Sequence, residues 1–331
     1  MPTDVREAGL CPVVGIALLA VVASCAPPGT MALTPKAAPA VDVAAASFDA
    51  PAAPALFDAP PVEMDASWRG FGVEHCAYLA PAGDFIGSDG GVDVVFHFHA
   101  GQVSDRDMRA SGVRGVFVAC GYGVGTSGYS RAFEEPTRFG WMMKRLLKTI
   151  GAAARRDDVR LRRLALASWS AGFAAVSRIL SVPEWYARTD SVILLDSLHA
   201  QYVPGGADAE GPARGTDKVD VRMLRHFIRF ASDAAAGKKA MVITHSAIVP
   251  PDYASTSEAT AALLSQIGVV ATAADETGAR NMALATKADE GGLHVRGFRG
   301  RGPRDHFDHL HLIGETLHSW VVPRWYTPAG E

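Results

Sequence analysis

The stretch "LALASWSAGFAAVSRIL", residues 164–180, changes its period at Ser170. Leu164 to Ala167 form a continuous apolar run, the mark of a strand buried on both faces. From Phe173 to Leu180 the apolar residues fall at helical spacing. Between the two, Ser168-Trp169-Ser170-Ala171-Gly172 places small residues two positions before and two after Ser170. A nucleophilic serine on a sharp strand-to-helix turn needs that pattern, because the strand and helix backbones must approach closely. The helix N-terminus behind Ser170 also favours developing negative charge. An unreactive turn has the same local pattern, so the rest of the chain has to decide.

On both sides of this turn short apolar runs alternate with helical patterns, which predicts a mostly parallel sheet with helices on both faces. "VDVVFHFHA" (92–100), "VRGVFVAC" (113–120), "SVILLDS" (191–197), "KAMVITHS" (239–246) and "LHVRGFRG" (293–300) read as strands. Helices are expected after Pro136, over 173–180, 221–236 and 257–268, and from about Phe307 to the end. The stretch 67–91 predicts one or two antiparallel strands at the sheet edge.

Chemistry-bearing residues cluster at the predicted strand ends. "VVFHFHAGQV" (94–103) ends on Ala100-Gly101, small residues whose backbone N–H groups could face a developing oxyanion. Its His97 and His99 alternate onto one face, which also fits core histidines or a zinc pair. "RGPRDHFDHLHLIGETLHSWV" (301–321) sets a histidine at the mouth of a helix after the last strand; His306 fits a general base best, with His309 one turn further on as competitor or support. The run "DHFDHLH" also admits a metal-site reading. Two carboxylates could orient the base: Asp196, directly after the strand "SVILLD", and Asp252 in the proline-stiffened "IVPPDYAST". Asp196 is favoured, because the prolines displace Asp252 from the sheet edge.

The order Ser170, Asp196 or Asp252, then His306 is that of the α/β-hydrolase fold, and from about Val92 to Trp325 the chain resembles an α/β-hydrolase of esterase or lipase type. Ser168 stands where that family's motif carries its first glycine, and Ala100 where a glycine follows the histidine. The resemblance implies hydrolysis of a carboxylic ester through an acyl-enzyme on Ser170, with no cofactor and no metal. Ala171, Ala100 and Gly101 would form the oxyanion hole. Family lipases that carry the acid at the earlier strand end lend support to Asp196. A peptidase or amidase on the same fold, and an inactive binding lipoprotein, are the alternative readings. "CGYGVGTSGYS" (120–130) lacks the ending of a phosphate-binding loop and reads as a loop beside the substrate. Residues 199–218 sit where such hydrolases insert a lid and are too few for a large cap, which leaves the site open to a bulky or polymeric substrate.

The 331 residues are 48% hydrophobic and 20% charged, with a net charge of −3; they can bury a full core and offer no basic stripe for nucleic acid. "CPVVGIALLAVVAS" (11–24) is shorter than a bilayer span and ends on Val22-Ala23-Ser24-Cys25, which resembles the lipobox of bacterial lipoproteins, although Arg6 is offset by Asp4 and Glu7. The resemblance implies a signal peptide over 1–24, lipidation of Cys25 and, since Ala26 follows, anchoring in the outer membrane. Residues 25–66 are Ala/Pro-rich and read as a tether, with the catalytic domain over 67–331. Cys76 and Cys120 remain, either as a disulfide of an oxidising compartment or as two buried thiols.

Overall fold

The computed structural model describes residues 62–204 and 214–326. The export signal, Cys25, most of the tether and part of the expected lid loop lie outside the described residues. Ten strands form one sheet: β1 (Arg69–Gly70), β2 (Cys76–Leu79), β3 (Gly91–Phe98), β4 (Val116–Cys120), β5 (Arg160–Trp169), β6 (Thr189–Leu195), β7 (Ala240–His245), β8 (Thr272–Thr277), β9 (Ala283–Glu290) and β10 (Leu293–Phe298). Their order is β1-β2-β4-β3-β5-β6-β7-β10-β9-β8. The six central strands, β4 to β10, run parallel, and both edges are antiparallel. Every residue of β3 and β4 is buried, because helices cover both faces, and this is why those strands read as unbroken apolar runs.

One face packs α2 (Thr126–Ala132), α3 (Arg138–Ala154), α4 (Phe173–Leu180), α5 (Pro183–Arg188), α6 (Arg225–Ala235) and α7 (Thr256–Ile267) around Phe96, Phe98, Leu166 and Leu194. The other packs α1 (Asp105–Ala110), α8 (Pro303–Leu310), α9 (Ile313–Thr316) and α10 (Val322–Tyr326) around Val95, Ala167, Trp169 and Leu195. This is the α/β-hydrolase fold that the sequence predicts. Packing begins upstream of Ser67: Met64 is buried and bridges Pro81. The β8–β9 hairpin, α1 and α5 were not foreseen, and the second half of the 120–130 stretch read as a loop is taken up by α2. The terminal helix starts at Pro303 and passes through a π-helical turn, Leu317–Val321, between α9 and α10. No helix among the described residues is long and apolar enough to cross a membrane.

The start of the sheet is closed by charge. Asp93 of β3 is fully buried, and its carboxylate accepts two bonds each from Arg162 and Arg163 at 2.6–2.8 Å. Neighbouring strand residues normally point to opposite faces, yet both arginines reach one carboxylate. The pairing register shifts by one residue beside Asp93, so that Arg162 is a bulge residue.

Cys76 and Cys120 face one another across β2 and β4 and form a disulfide. The bond closes a sequence separation of 44 residues, which in the chain-entropy account stabilises the fold by about 4 kcal/mol. The double variant Cys76→Ser/Cys120→Ser is therefore expected to lose about 4 kcal/mol in urea unfolding, and dithiothreitol should reproduce the loss in the native chain alone. Equal stability of the two proteins would show that the cross-link stabilises nothing.

Candidate active site

Eight non-glycine residues among those described have left-handed φ, and four of them stand just past the C-terminal ends of three neighbouring strands: His99 (75°) and Ala100 (54°) after β3, Ser170 (49°) after β5, and Asp196 (44°) after β6. Strain of this kind persists only where surrounding structure over-determines the backbone. At Ser170 the cause is visible. Gly172, two residues on, lies so close to β3 that a Cβ there would sit 2.2 Å from the Phe98 carbonyl oxygen. The first turn of the following helix thus presses against β3, and Ser170 is forced through a tight turn at its mouth.

Ser168, which departs from the glycine of the motif, is fully buried and hydrogen-bonded. Its hydroxyl lies 2.8 Å from the Ser197 Oγ, and Ser197 donates at 2.8 Å to the Ser170 carbonyl. With Ser197 committed as donor there, Ser168 donates to Ser197. The relay ties the strained carbonyl of the turn to the end of β6. The second departure, Ala100, is absorbed by a left-handed turn. The His99 N–H is consumed by the Cys120 carbonyl (2.9 Å), and the Ala100 and Gly101 carbonyls accept from Val103 N and Ser104 Oγ. The Ala100 and Gly101 N–H groups are thereby carried past the sheet edge on a fixed turn.

The structure joins His306, near the start of α8, to Asp196 and not to Asp252. His306 Nδ1 donates to Asp196 Oδ2 at 2.6 Å, whereas Asp252 is exposed on its loop. The Asp196 side chain is 2% exposed. Its other oxygen accepts from Ser246 N–H (2.9 Å) and Thr256 Oγ1 (2.5 Å). Burial alone would push the Asp196 carboxyl up. The nearby His309 and His306 imidazoles, with the hydrogen bonds from His306 and Thr256, outweigh burial and hold it well below the usual carboxylate range. It is thus an anion fixed in three directions.

His309 is fully buried behind this pair, with Nδ1 2.8 Å from Thr244 Oγ1. Burial pushes it down to about 4, and does the same to His99 and His199; His97 falls to about 3. These imidazoles are neutral at neutral pH, so a proton arriving on His306 meets the Asp196 carboxylate and no neighbouring imidazolium. The run "DHFDHLH" disperses rather than converging on a metal: His306 bonds Asp196, His309 bonds Thr244, and His311 bonds Asp107 at 2.7 Å. No group of three or more His, Cys, Asp or Glu among the described residues is placed to hold a metal ion. His97 and His99 share a face as alternation requires, but His99 Nδ1 is bonded to Tyr129 OH (2.8 Å) and both His97 nitrogens are buried without a partner.

Thr256, Ser246, Ser197 and Trp169 belong to the site and were not foreseen. A cavity of about 350 Å3 lies at the other end of the strands, lined by Arg162, Arg163, Arg188, Lys238 and Lys239. These cations are engaged in holding that end together: the arginines by Asp93 and Glu184, Lys238 by Asp233, and Lys239 by three backbone carbonyls.

No family model matches the sequence, and no curated protein sequence is similar to it. Among solved structures the chain is similar to a poly(3-hydroxybutyrate) depolymerase from Bordetella parapertussis (17% identity, 73% of this chain and 82% of that one, TM-score 0.41). It is also similar to an S-formylglutathione hydrolase from Agrobacterium tumefaciens (12% identity, 73% of this chain and 87% of that one, TM-score 0.40). A thermophilic esterase from Thermogutta terrifontis is similar at 16% identity, over 77% of this chain and 91% of that one, with a TM-score of 0.37.

The buried imidazoles make stability depend on pH with a definite sign. Histidine titrates near 6.5 when unfolded, and His97, His99, His199 and His309 titrate near 3–4 when folded. The unfolded chain therefore binds more protons in this window. Stability is complete above about pH 6.5 and is lost as pH falls toward about 4. Asp196, with its carboxyl held low, acts in the same sense at still lower pH. Urea unfolding at a series of pH values should show a slope of up to about four protons below pH 6.5. His97→Met should remove one proton from that slope and, by deleting two unpartnered buried nitrogens, add about 1 kcal/mol at neutral pH. Stability unchanged between pH 7 and 5 would contradict this.

Proposed function

We propose that the chain is a serine hydrolase that cleaves carboxylic esters through an acyl-enzyme, with Ser170 as nucleophile, His306 as general base and acid, and Asp196 as the orienting carboxylate. The observation that carries the reading is the 2.6 Å bond from His306 Nδ1 to the buried Asp196 carboxylate, formed at the strand ends where Ser170 stands on its strained turn. Donation of Nδ1–H to Asp196 fixes the tautomer and leaves Nε2 as the basic nitrogen.

Ser170 Oγ attacks the ester carbonyl carbon as its proton passes to His306 Nε2, and the carbonyl electron pair moves onto oxygen. The N–H groups of Ala171 and the Ala100-Gly101 turn receive that oxyanion. The tetrahedral intermediate collapses, the C–O bond to the alcohol breaks, and His306 returns the proton to the departing oxygen. Water then attacks the acyl-serine by the same route, releasing the acid and regenerating Ser170. No cofactor enters this cycle.

The lipobox-like Val22-Ala23-Ser24-Cys25 supports export and lipid anchoring at Cys25, with the outer membrane as destination. The Cys76–Cys120 disulfide fits an oxidising compartment. The partner in this reading is an ester substrate, small or polymeric, and no nucleic acid is involved.

A fluorophosphonate probe should label the protein at Ser170 and fail to label Ser170→Ala, with both shown folded by circular dichroism. Asp196→Asn should lower kcat/KM for a soluble ester by about 10³-fold or more, through loss of the correct tautomer, while Asp252→Asn should stay within about twofold, as expected of an exposed surface site. Labelling or turnover that survives Ser170→Ala would overturn the assignment. Matched ester and anilide substrates separate ester from amide hydrolysis.

A further inference from the structure

Trp169 lies between Ser168 and Ser170 in the chain and is 1% exposed. Its ring stacks on the His306 imidazole (centroids 4.7 Å apart, planes at 29°) and on that of His99 (5.0 Å, 18°). His99 follows β3 on one side of β5, while His306 is held by Asp196, just after β6, on the other, so the indole stands between them. Trp169 Nε1 also donates to the His306 backbone carbonyl at 2.8 Å. One side chain thus grips both the ring and the backbone of His306.

We propose that Trp169 is a positioning residue for His306, which holds the imidazole against Asp196 and stabilises the imidazolium formed during proton transfer through the face of the indole. The proposal rests on the Ser170-His306-Asp196 reading. A cation over an indole face in a dry site is attracted by the ring quadrupole. The arrangement works only if the second imidazole on the indole is uncharged, and His99 meets that condition. Tyr129 OH accepts from the Tyr122 N–H (3.1 Å) and so has its own proton to give to His99 Nδ1. Burial and the proximity of His306 hold His99 down to about 4. The other titratable groups around His306 are Asp196, His199 from the loop after β6, and His309 and Asp305 on its own helix. Of these, the two histidines are also held neutral by burial, which leaves the indole and the carboxylates of Asp196 and Asp305 as the groups that favour a charge on His306.

The test compares Trp169→Phe, which keeps an aromatic face, with Trp169→Leu, which does not. On a soluble ester, Trp169→Leu should lose about tenfold in kcat relative to Trp169→Phe, the equivalent of a desolvated cation–π contact, with KM little changed. The far-downfield proton resonance of His306 Nδ1–H should weaken in Trp169→Leu and persist in Trp169→Phe. A merely structural tryptophan predicts equal kcat and the same resonance in both variants, and that result would overturn the proposal. Should Trp169→Leu not fold, mono-, di- and trifluorotryptophan installed at position 169 serve instead. The logarithm of kcat should fall stepwise with fluorination at constant melting temperature, and a flat series would overturn the proposal. Ser170→Ala, measured in parallel, separates the two failures: if it is silent while the tryptophan variants are equal, only the role of Trp169 falls; if it remains active, the reading beneath it falls as well.

Discussion

The buried carboxylate of Asp196 is the constraint on which the rest of the site depends. A bare carboxylate at 2% exposure would cost several kcal/mol, and its three donors come from three separate places: the backbone just after β7, the first turn of α7, and the first turn of α8. Against that cost the Asp196 carboxyl is held below the usual carboxylate range by the nearby His309 imidazole and by His306 and Thr256. Ionisation of Asp196 is therefore conditional on β7, α7 and α8 standing where they do. The Asp196 N–H is itself bonded to the Thr244 carbonyl at 2.9 Å, so even the turn after β6 is pinned to β7. Charge, tautomer and strand-end geometry are one problem with one solution here.

Much of this was legible in the sequence because the deciding signals are local. The strand before Ser170 and the helix over 173–180 follow from period alone, and the order of serine, acid and histidine follows from strand ends. The choice between Asp196 and Asp252 was legible through the prolines 250 and 251, which carry Asp252 away from the sheet edge onto an exposed loop. What was not legible is long-range. Nothing near Thr256 or Ser246 marks them as donors to a carboxylate 50 or 60 residues earlier. Ser168 looked like a weakened glycine until Ser197, 29 residues on, turned it into a hydrogen-bonding group. The β8–β9 hairpin escaped because most of its residues are exposed or half-exposed and its sequence is Ala- and charge-rich, without the β-branched alternation that marks a strand.

The two ends of the sheet divide the electrostatic labour. At the start of the strands, Asp93 with Arg162 and Arg163, and Asp190 with Arg324, are paired charges that can be satisfied once and left alone. Titration there would only loosen the fold. At the other end the imidazoles of His97, His99, His199 and His309 are stripped of charge by burial, and one anion, Asp196, is left to act on the half-buried His306. A positive charge formed transiently is stabilised in proportion to how few competing cations surround it and how poorly water screens it. Four neutral histidines cost stability at low pH, as linkage requires, and three of them, His99, His199 and His309, stand near His306 without repelling a proton arriving on it. The cations around the cavity at the strand starts are already committed to structural partners. At the other end left-handed backbone, a buried anion and a half-buried imidazole meet, and that is where the proposed reaction is placed.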